Sequence, residues 1–322
     1  TNSANACLYT GGTSLPTYTY GGTATLCDCT TINGANISGL STGVTYYVSD
    51  SVYTRTFTKT ATTTLTQSGT CTLCTPEISR YGLILWADAG RTFSYFDTTY
   101  YDCGYGCQYY ASNPGCTNCN TVWLDMSTNY YRGTLINSPT FNYQKGGYLT
   151  TNGTNSYIDF GTSVMSNALI SYTVGMWVSV SALGSARYFL SRGRDGSGNG
   201  WSVYLAVKVD NKFEFAVVTT SGGETAFPAT STTTAVANTF YYITGVWDAG
   251  SLVRIYVNGV SEGSNATSTT TLRSSTDGLV LGTITTTLYS AVNISQVQIY
   301  QRVLSDTEIL QNFNADRQRY GV

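Results

Sequence analysis

The sequence predicts an all-β protein: a large antiparallel β-sandwich, preceded by a small cysteine-containing β-module and closed by one short helix. Three observations carry that prediction. Charged residues make up only 11% of the chain, with 27 Tyr and abundant Thr, Ser and Gly in their place, against about 25% charged residues in an ordinary soluble domain. β-branched and aromatic side chains fit the pleat of a strand, and Gly and Ser break strands into turns. From about residue 140 onward, short runs alternate apolar and polar residues, the period of a half-buried strand. Only the last stretch repeats at the period of a helix.

The front of the chain is set apart by sulfur. All nine cysteines lie between Cys7 and Cys119, and none follows. Such a break marks a change of physical strategy and puts a domain boundary between 76 and 125. We set it at 78/79, giving an N-terminal β-module for docking or attachment (1–78) and a second domain (79–322). Within the first, VTYYVSDSVYTRTFTKTATTTLT (44–66) sets Phe57 and Lys59 against Thr58 and Thr60 and reads as a small antiparallel sheet with one wet face.

Residues 102–119, DCGYGCQYYASNPGCTNC, hold four cysteines in 18 residues. The spacing of Cys103, Cys107, Cys116 and Cys119 suits one tetrahedral zinc, and Cys27, Cys29, Cys71 and Cys74 supply a second set. Disulfides among the same residues, or free thiols, are the competing readings, and disulfide pairing cannot be read from sequence. In either case the role is structural. A redox pair needs Cys-x-x-Cys opening a helix, and no helical pattern follows either one here. The N-terminus, TNSANACLYTGG, shows no signal-peptide pattern. Thr1 is what removal of an initiator methionine leaves, implying a reducing cytosol, although a cleaved leader or propeptide leaves the same.

In the second domain the clearest strands are 171–180, 187–192, 201–207, 212–220, 240–247, 252–258, 279–284 and 294–303. Val253, Ile255 and Val257 face one way, with Arg254, Tyr256 and Asn258 on the other side; Val297 and Ile299 oppose Gln296, Gln298 and Tyr300. One apolar face per strand predicts antiparallel sheets with a shared core and wet outer faces. Asn258-Gly259, Asp195-Gly196, Asn199-Gly200 and Asp210-Asn211 supply turns between strands. At the end, Ser305 to Glu308 reads as a capping box, followed by Ile309, Leu310 and Phe313 as an apolar stripe.

Taken together, SYTVGMWVSV, FLSRGRDGSGNGWSVYL, YYITGVWDAGSLVRIYVNGV and ISQVQIYQRVLSDTEILQNFNADRQRYG resemble a laminin G-like jelly roll of the concanavalin A-like lectin/glucanase kind, over roughly residues 80–322. Upstream, GLILWADAGRTFSY (82–95) and WLDMSTNYYRG with its continuation to residue 161 resemble the entry to this domain in virion proteins of tailed phages. The chain departs from that pattern by inserting a cysteine-rich loop at 96–122, which a covalent or metal staple would brace. The resemblance implies a virion structural protein, a capsid decoration or a fibre or appendage subunit. Its partners would be other virion proteins and its location the virion surface, with a homo-oligomer, a trimer, as the expected state of a fibre. Its outward domain would hold host-surface glycans. The alternative is a secreted or cell-surface microbial lectin or adhesin, and the third reading is a glycanase.

Catalysis is not expected. There is no histidine, which excludes a Ser-His-Asp arrangement, and no phosphate-binding loop motif. Glucanases of this fold use carboxylates in an E-x-D-x-x-E strand motif. The five glutamates, Glu77, Glu214, Glu224, Glu262 and Glu308, do not form it. Glu214 reads as an exposed strand residue and Glu308 as part of the cap, while Asp88 and Asp125 suit turn or edge roles. No nucleic-acid partner is expected at net charge −2 without a basic run, and no membrane insertion, since apolar runs fall short of the ~20 residues of a span.

Binding candidates are Asp195, Asn199 and Trp201, which read either as a rim loop for glycan or calcium or as an ordinary hairpin with Trp201 in the core. Trp177 and Trp247 read as core. Tyr100, Tyr101, Tyr109, Tyr110, Tyr130 and Tyr131, in or beside the insert, are candidates for an interface. No cofactor is required on this reading; a structural zinc or calcium is the one addition it allows. The Asn-x-Ser/Thr triplets at Asn36, Asn152, Asn265 and Asn293 are what chance gives in so Ser/Thr-rich a chain.

Overall fold

The computed structural model of the chain describes residues 78–91, 94–95, 121–165, 171–193, 201–219, 225–267, 270, 272–273, 278–285 and 287–322, and, in the first 77 residues, the backbone of four short strands. The chain divides into two compact units, residues 1–78 with 314–316 and residues 79–313 with 317–322. In the first, β1 (Asn33–Ala35) pairs with β4 (Leu65–Thr66) and β2 (Thr45–Ser49) with β3 (Thr54–Thr58), both antiparallel. The β2–β3 pair lies within 44–66. All nine cysteines, with Asp195, Asn199, Tyr100, Tyr101, Tyr109 and Tyr110, lie outside the described residues.

The second unit is a sandwich of two 8-stranded antiparallel sheets, consistent with a jelly roll. One sheet runs β15 (Thr225–Thr234), β14 (Lys212–Thr219), β13 (Val203–Val207), β12 (Arg187–Arg192), β19 (Leu279–Leu281), β10 (Tyr157–Asp159), β7 (Arg132–Ile136) and β6 (Val122–Leu124). The other runs β18 (Val260–Ala266), β17 (Leu252–Val257), β16 (Tyr241–Asp248), β11 (Tyr172–Ser179), β20 (Asn293–Tyr300), β9 (Tyr148–Thr150) and β8 (Thr140–Asn142). β5 (Leu83–Asp88) is added beside β20. Alternate residues of both sheets meet in one core, including Val174, Met176, Phe213, Phe215, Val253, Ile255, Val297 and Ile299. Gly245 lets the layers close: a Cβ there would lie 2.2 Å from the Phe215 ring.

The hairpin turn behaves as its residues demand. Asn258 and Gly259 take φ values of 51° and 81°, the paired left-handed conformation of a tight antiparallel turn. Eight of the sixteen described strands of this unit fall outside the predicted runs, among them β15 and β18. Both are sheet ends, where one flank has no partner strand among the described residues, and their sequences (TAFPATSTTT and VSEGSNA) are polar. Pro228 is tolerated because an edge strand needs only half of its backbone donors. The two edges are joined by side chains. Glu262 accepts bonds from the Thr233 amide (2.8 Å) and hydroxyl (2.5 Å), and Asn265 Nδ2 donates to the Pro228 carbonyl at 2.9 Å.

The free flank of β5 is covered in a similar way. Asp125 accepts the Trp86 amide at 2.8 Å, while Ser127 Oγ and Asn129 Nδ2 donate to the Ile84 carbonyl at 3.0 and 2.9 Å. Asp125 thus performs the edge role its place in W-L-D-M-S suggests, and it hides the hydrogen-bonding groups of an otherwise open strand.

The outer face of β20 is buried, and this corrects the expectation of a wet one. Gln296, Gln298 and Tyr300, opposite Val297 and Ile299, are fully buried, and α1 (Asp306–Tyr320) supplies the layer beside them. Trp177, Phe240, Tyr242, Phe313 and Tyr320 form a second apolar cluster there, and Val246, Tyr256, Tyr300, Leu304 and Ile309 a third. Trp177 is therefore core, but not core between the sheets.

The capping box of α1 forms as read: Ser305 Oγ accepts the Glu308 amide and the Glu308 carboxylate accepts the Ser305 amide. The apolar stripe needs correction, because Ile309 and Phe313 are buried while Leu310 is exposed against the Asn258-Gly259 turn. The helix also buries Tyr320 and one polar residue, Asn312, whose Oδ1 accepts the Ser79 amide at 2.7 Å and whose Nδ2 donates to Tyr300 at 3.0 Å.

Burial by itself raises the Glu308 carboxyl, but bonds from Arg302 and the Ser305 amide outweigh it and hold the group at about 2. A depressed folded-state value contributes stability that is full above the unfolded value of about 4.3 and is lost as pH falls toward 2. Glu308→Gln is therefore expected to lower stability at neutral pH and to flatten its fall between about pH 4.3 and 2. Urea titrations across that range check this. An unchanged slope would place the acid sensitivity elsewhere.

Candidate functional site

The outer face of the β15–β6 sheet differs in kind from the helix-covered one. Strand register sets Tyr188, Ala206, Glu214 and Thr230 in one row across β12, β13, β14 and β15. The next row puts Tyr204 beside Ala216. Side chains on this face alternate with the core residues Leu205, Val207, Phe213 and Phe215, so burial of the core fixes their outward direction.

Two alanines in the middle leave room for large neighbours. Tyr204, Ala206, Ala216 and Ile284 form a small cluster, with half-buried Tyr188 and Trp201 packed against it. Tyr204 meets the edge of Trp201 at 4.7 Å between ring centroids and that of Tyr188 at 5.6 Å. Lys208 Nζ lies 5.2 Å from the Tyr204 ring and 5.7 Å from that of Tyr188, and 3.3 Å from Glu214 Oε1. The Tyr204 hydroxyl donates a short bond to the same Glu214 oxygen, and Thr230 Oγ1 donates to Oε2 at 3.3 Å. The arrangement offers aromatic surface, one ammonium and one carboxylate within a few ångströms.

Burial, followed by the bond and the charge of Glu214, pushes the Tyr204 hydroxyl far above the ordinary phenol range. The phenol stays protonated and acts as a donor to Glu214. Glu214 itself is not the exposed strand residue its K-F-E-F setting suggests, since Tyr204, Lys208 and Thr230 enclose it. Sequence alternation placed it on the outer face correctly but could not show that Tyr204, ten residues earlier, folds over it.

Trp201 belongs to this cluster, outside the core between the sheets, so neither an ordinary core hairpin nor a free rim residue describes it. The strand before its loop is pinned by Arg192. Its buried guanidinium donates to the Met165 carbonyl (2.5 Å), Ser202 Oγ (2.7 Å) and the Arg273 carbonyl (3.4 Å). Burial, opposed in part by Tyr172, draws the Arg192 value down.

The tyrosine candidates that are described divide. Tyr130 projects into solvent, 78% exposed, from a left-handed backbone at φ 56°. Tyr131 instead is half-buried, packs against the core between the sheets and donates to the Ser163 carbonyl at 3.3 Å. The described Asn-x-Ser/Thr asparagines use their amides in the fold. Asn152 donates to Asn155, Asn265 to Pro228, and Asn293 to Ser179. No group of three or more Cys, Asp and Glu suited to a metal occurs among the described residues, and no described helix is long and apolar enough to cross a membrane.

Residues 152–310 match the family model described as the concanavalin A-like lectin/glucanases superfamily. No curated protein matches the chain. Among solved structures, a sialidase of Trypanosoma rangeli is similar at 14% identity and TM-score 0.50 over 75% of this chain and 34% of that one. The binding domain of Paraclostridial Mosquitocidal Protein 1 is similar at 13% identity and TM-score 0.52 over 73% and 52%. The HCR/D W1238A mutant is similar at 11% identity and TM-score 0.50 over 74% and 51%. The aligned region spans about a third of that sialidase's length. At these identities the likeness is one of fold.

Proposed function

We propose that this chain is a non-catalytic carbohydrate-binding protein whose glycan surface is the Trp201, Tyr188 and Tyr204 cluster around Lys208 and Glu214. The observation that carries the reading is the coincidence, on an outer sheet face, of the half-buried Tyr188 and Trp201 rings, backed by buried Tyr204, with a paired donor and acceptor. Sugars need both: their C–H faces pack on aromatic surface and their hydroxyls need polar partners. In the wider setting the chain is a virion structural protein of a tailed phage, with its glycan surface turned outward. Support for that setting comes from the motifs at 82–95 and 123–161 and from the low charge of the chain.

The non-catalytic part rests on how the carboxylates are used. Glu262 joins two sheet edges, Glu308 caps α1, Asp125 seals β5, and Glu214 is held by a phenol that stays protonated. Glycoside hydrolysis ordinarily needs two carboxyl groups facing one bond.

Trp201→Ala is expected to weaken glycan binding about 10-fold or more, as loss of a central aromatic anchor does, with little effect on thermal stability. A glycan array followed by titration of the strongest ligand checks this. Silence of the unmodified protein across the array defeats the carbohydrate reading, and release of reducing ends from any bound polysaccharide defeats the non-catalytic one. Antibody labelling of purified phage particles tests the setting. Labelling of cell surface or culture medium alone would favour a secreted or cell-surface lectin.

A further inference from the structure

Resting on the carbohydrate reading above, we infer that this surface selects uncharged hexopyranoses through two neighbouring hydroxyl groups, and that Lys208 and Glu214 are the residues that determine this specificity. Spacing comes first. Lys208 Nζ and Glu214 Oε1 stand 3.3 Å apart, side by side on the outer face. Hydroxyl oxygens on adjacent carbons of a pyranose ring have nearly the same separation. One hydroxyl can accept from the ammonium while its neighbour donates to the carboxylate.

Capacity is the second point. An ammonium has three N–H donors and a carboxylate about four acceptor sites. Glu214 receives Tyr204, Lys208 and Thr230, and Lys208 gives one direction to Glu214 and turns toward two rings. Each therefore keeps room for one further partner. The Tyr204 hydroxyl is committed to Glu214 and stays protonated, so it orients the carboxylate instead of competing as an acceptor.

Charge is the third. The Lys208 ammonium is already neutralised by Glu214, so a sugar carboxylate meets no net positive charge and lies close to an anion. Uronic and sialic acids thus gain nothing over a neutral sugar and are opposed by repulsion. A hydroxyl pair loses nothing, because each oxygen both donates and accepts. Tyr188 and Trp201 flank the pair and supply apolar surface for the ring.

The test uses the full chain and a panel of methyl glucoside, galactoside and mannoside with the matching 2-, 3- and 4-deoxy sugars, glucuronate, galacturonate and sialic acid, titrated by calorimetry or ligand-observed NMR. At least one neutral hexoside is expected to bind, to lose about 10-fold on removal of either hydroxyl of one adjacent pair, and to bind Lys208→Met and Glu214→Gln about 10-fold more weakly. The acidic sugars are expected to bind more weakly than the neutral ones. Thermal melts establish that both variants fold, and the charge-swapped pair Lys208→Glu with Glu214→Lys provides a second check by retaining a donor beside an acceptor. Preference for acidic sugars, or binding indifferent to both single substitutions in a protein that is positive on the glycan array, overturns this specificity while the carbohydrate reading stands. Array silence removes both.

Discussion

Arg319→Met is expected to cost about 3–5 kcal/mol of folding stability and to loosen the C-terminal helix, the range seen when one partner of a buried ion pair is removed. Arg319 Nη1 binds both oxygens of Asp88, at 2.7 and 2.9 Å; Nη2 reaches the Gly147 carbonyl and Ser295 Oγ, each at 2.8 Å; Nε reaches the Lys145 carbonyl at 2.9 Å. Asp88 is wholly buried at the end of β5. Its other donors are the Gly90 amide (2.9 Å), Gln296 Nε2 (3.2 Å) and Arg91 Nε (3.3 Å), the last from a side chain 51% exposed. Without Arg319 the carboxylate keeps its desolvation cost and loses its closest charge. Chemical denaturation followed by circular dichroism measures the effect. The double variant Arg319→Met with Asp88→Asn should be less destabilised than Arg319→Met alone, because it removes the stranded charge. A loss under about 1 kcal/mol would mean that this pair does not hold the helix.

Trp177→Ala is expected to cost a similar amount, about 3–5 kcal/mol, as truncation of large buried aromatics does. The indole is fully buried and stacks on Tyr320 at 4.0 Å and 19° between rings, on Phe313 at 5.7 Å, and beside Tyr242 at 5.4 Å. Its removal leaves a cavity under α1, not between the sheets. The affected probe should therefore be the helix, and hydrogen exchange should accelerate in α1 more than in β13 or β14. Trp177 touches Tyr320, the neighbour of Arg319, so the two losses should not add. A combined cost clearly below their sum is expected. Full additivity, or uniform loss of protection in both sheets, would show that α1 is not one cooperative unit.

Much of the sandwich could be read directly from the sequence. β11, β12, β14, β16, β17 and β20 lie within a residue or so of their apolar runs, apart from the overlong tail predicted for β20. A strand flanked on both sides and facing a core must alternate, and alternation survives in one dimension. The capping box was equally legible, because its partners are three residues apart. β15 and β18 were not, since a sheet edge tolerates Pro, Thr and Glu and leaves no period. Likewise Gln296 and Gln298 looked wet, because nothing local says that a helix beginning ten or so residues later will cover them.

The candidate site divides along the same line. Trp201 stood out in sequence as an aromatic beside a glycine-rich turn, and the outward side of β14 fixed the direction of Glu214. Tyr188, Tyr204, Lys208 and Thr230 carried no signal of their own. They meet Glu214 because strand register sets four chains side by side, and register depends on the whole core. Sequence alone determined that this chain folds as antiparallel sheets with a capped terminal helix, for local periodicity encodes which face is apolar. Only the tertiary structure decided which polar face is buried under the helix and which is left uncovered by the described residues, because that depends on contacts between residues more than two hundred positions apart, such as Asp88 and Arg319.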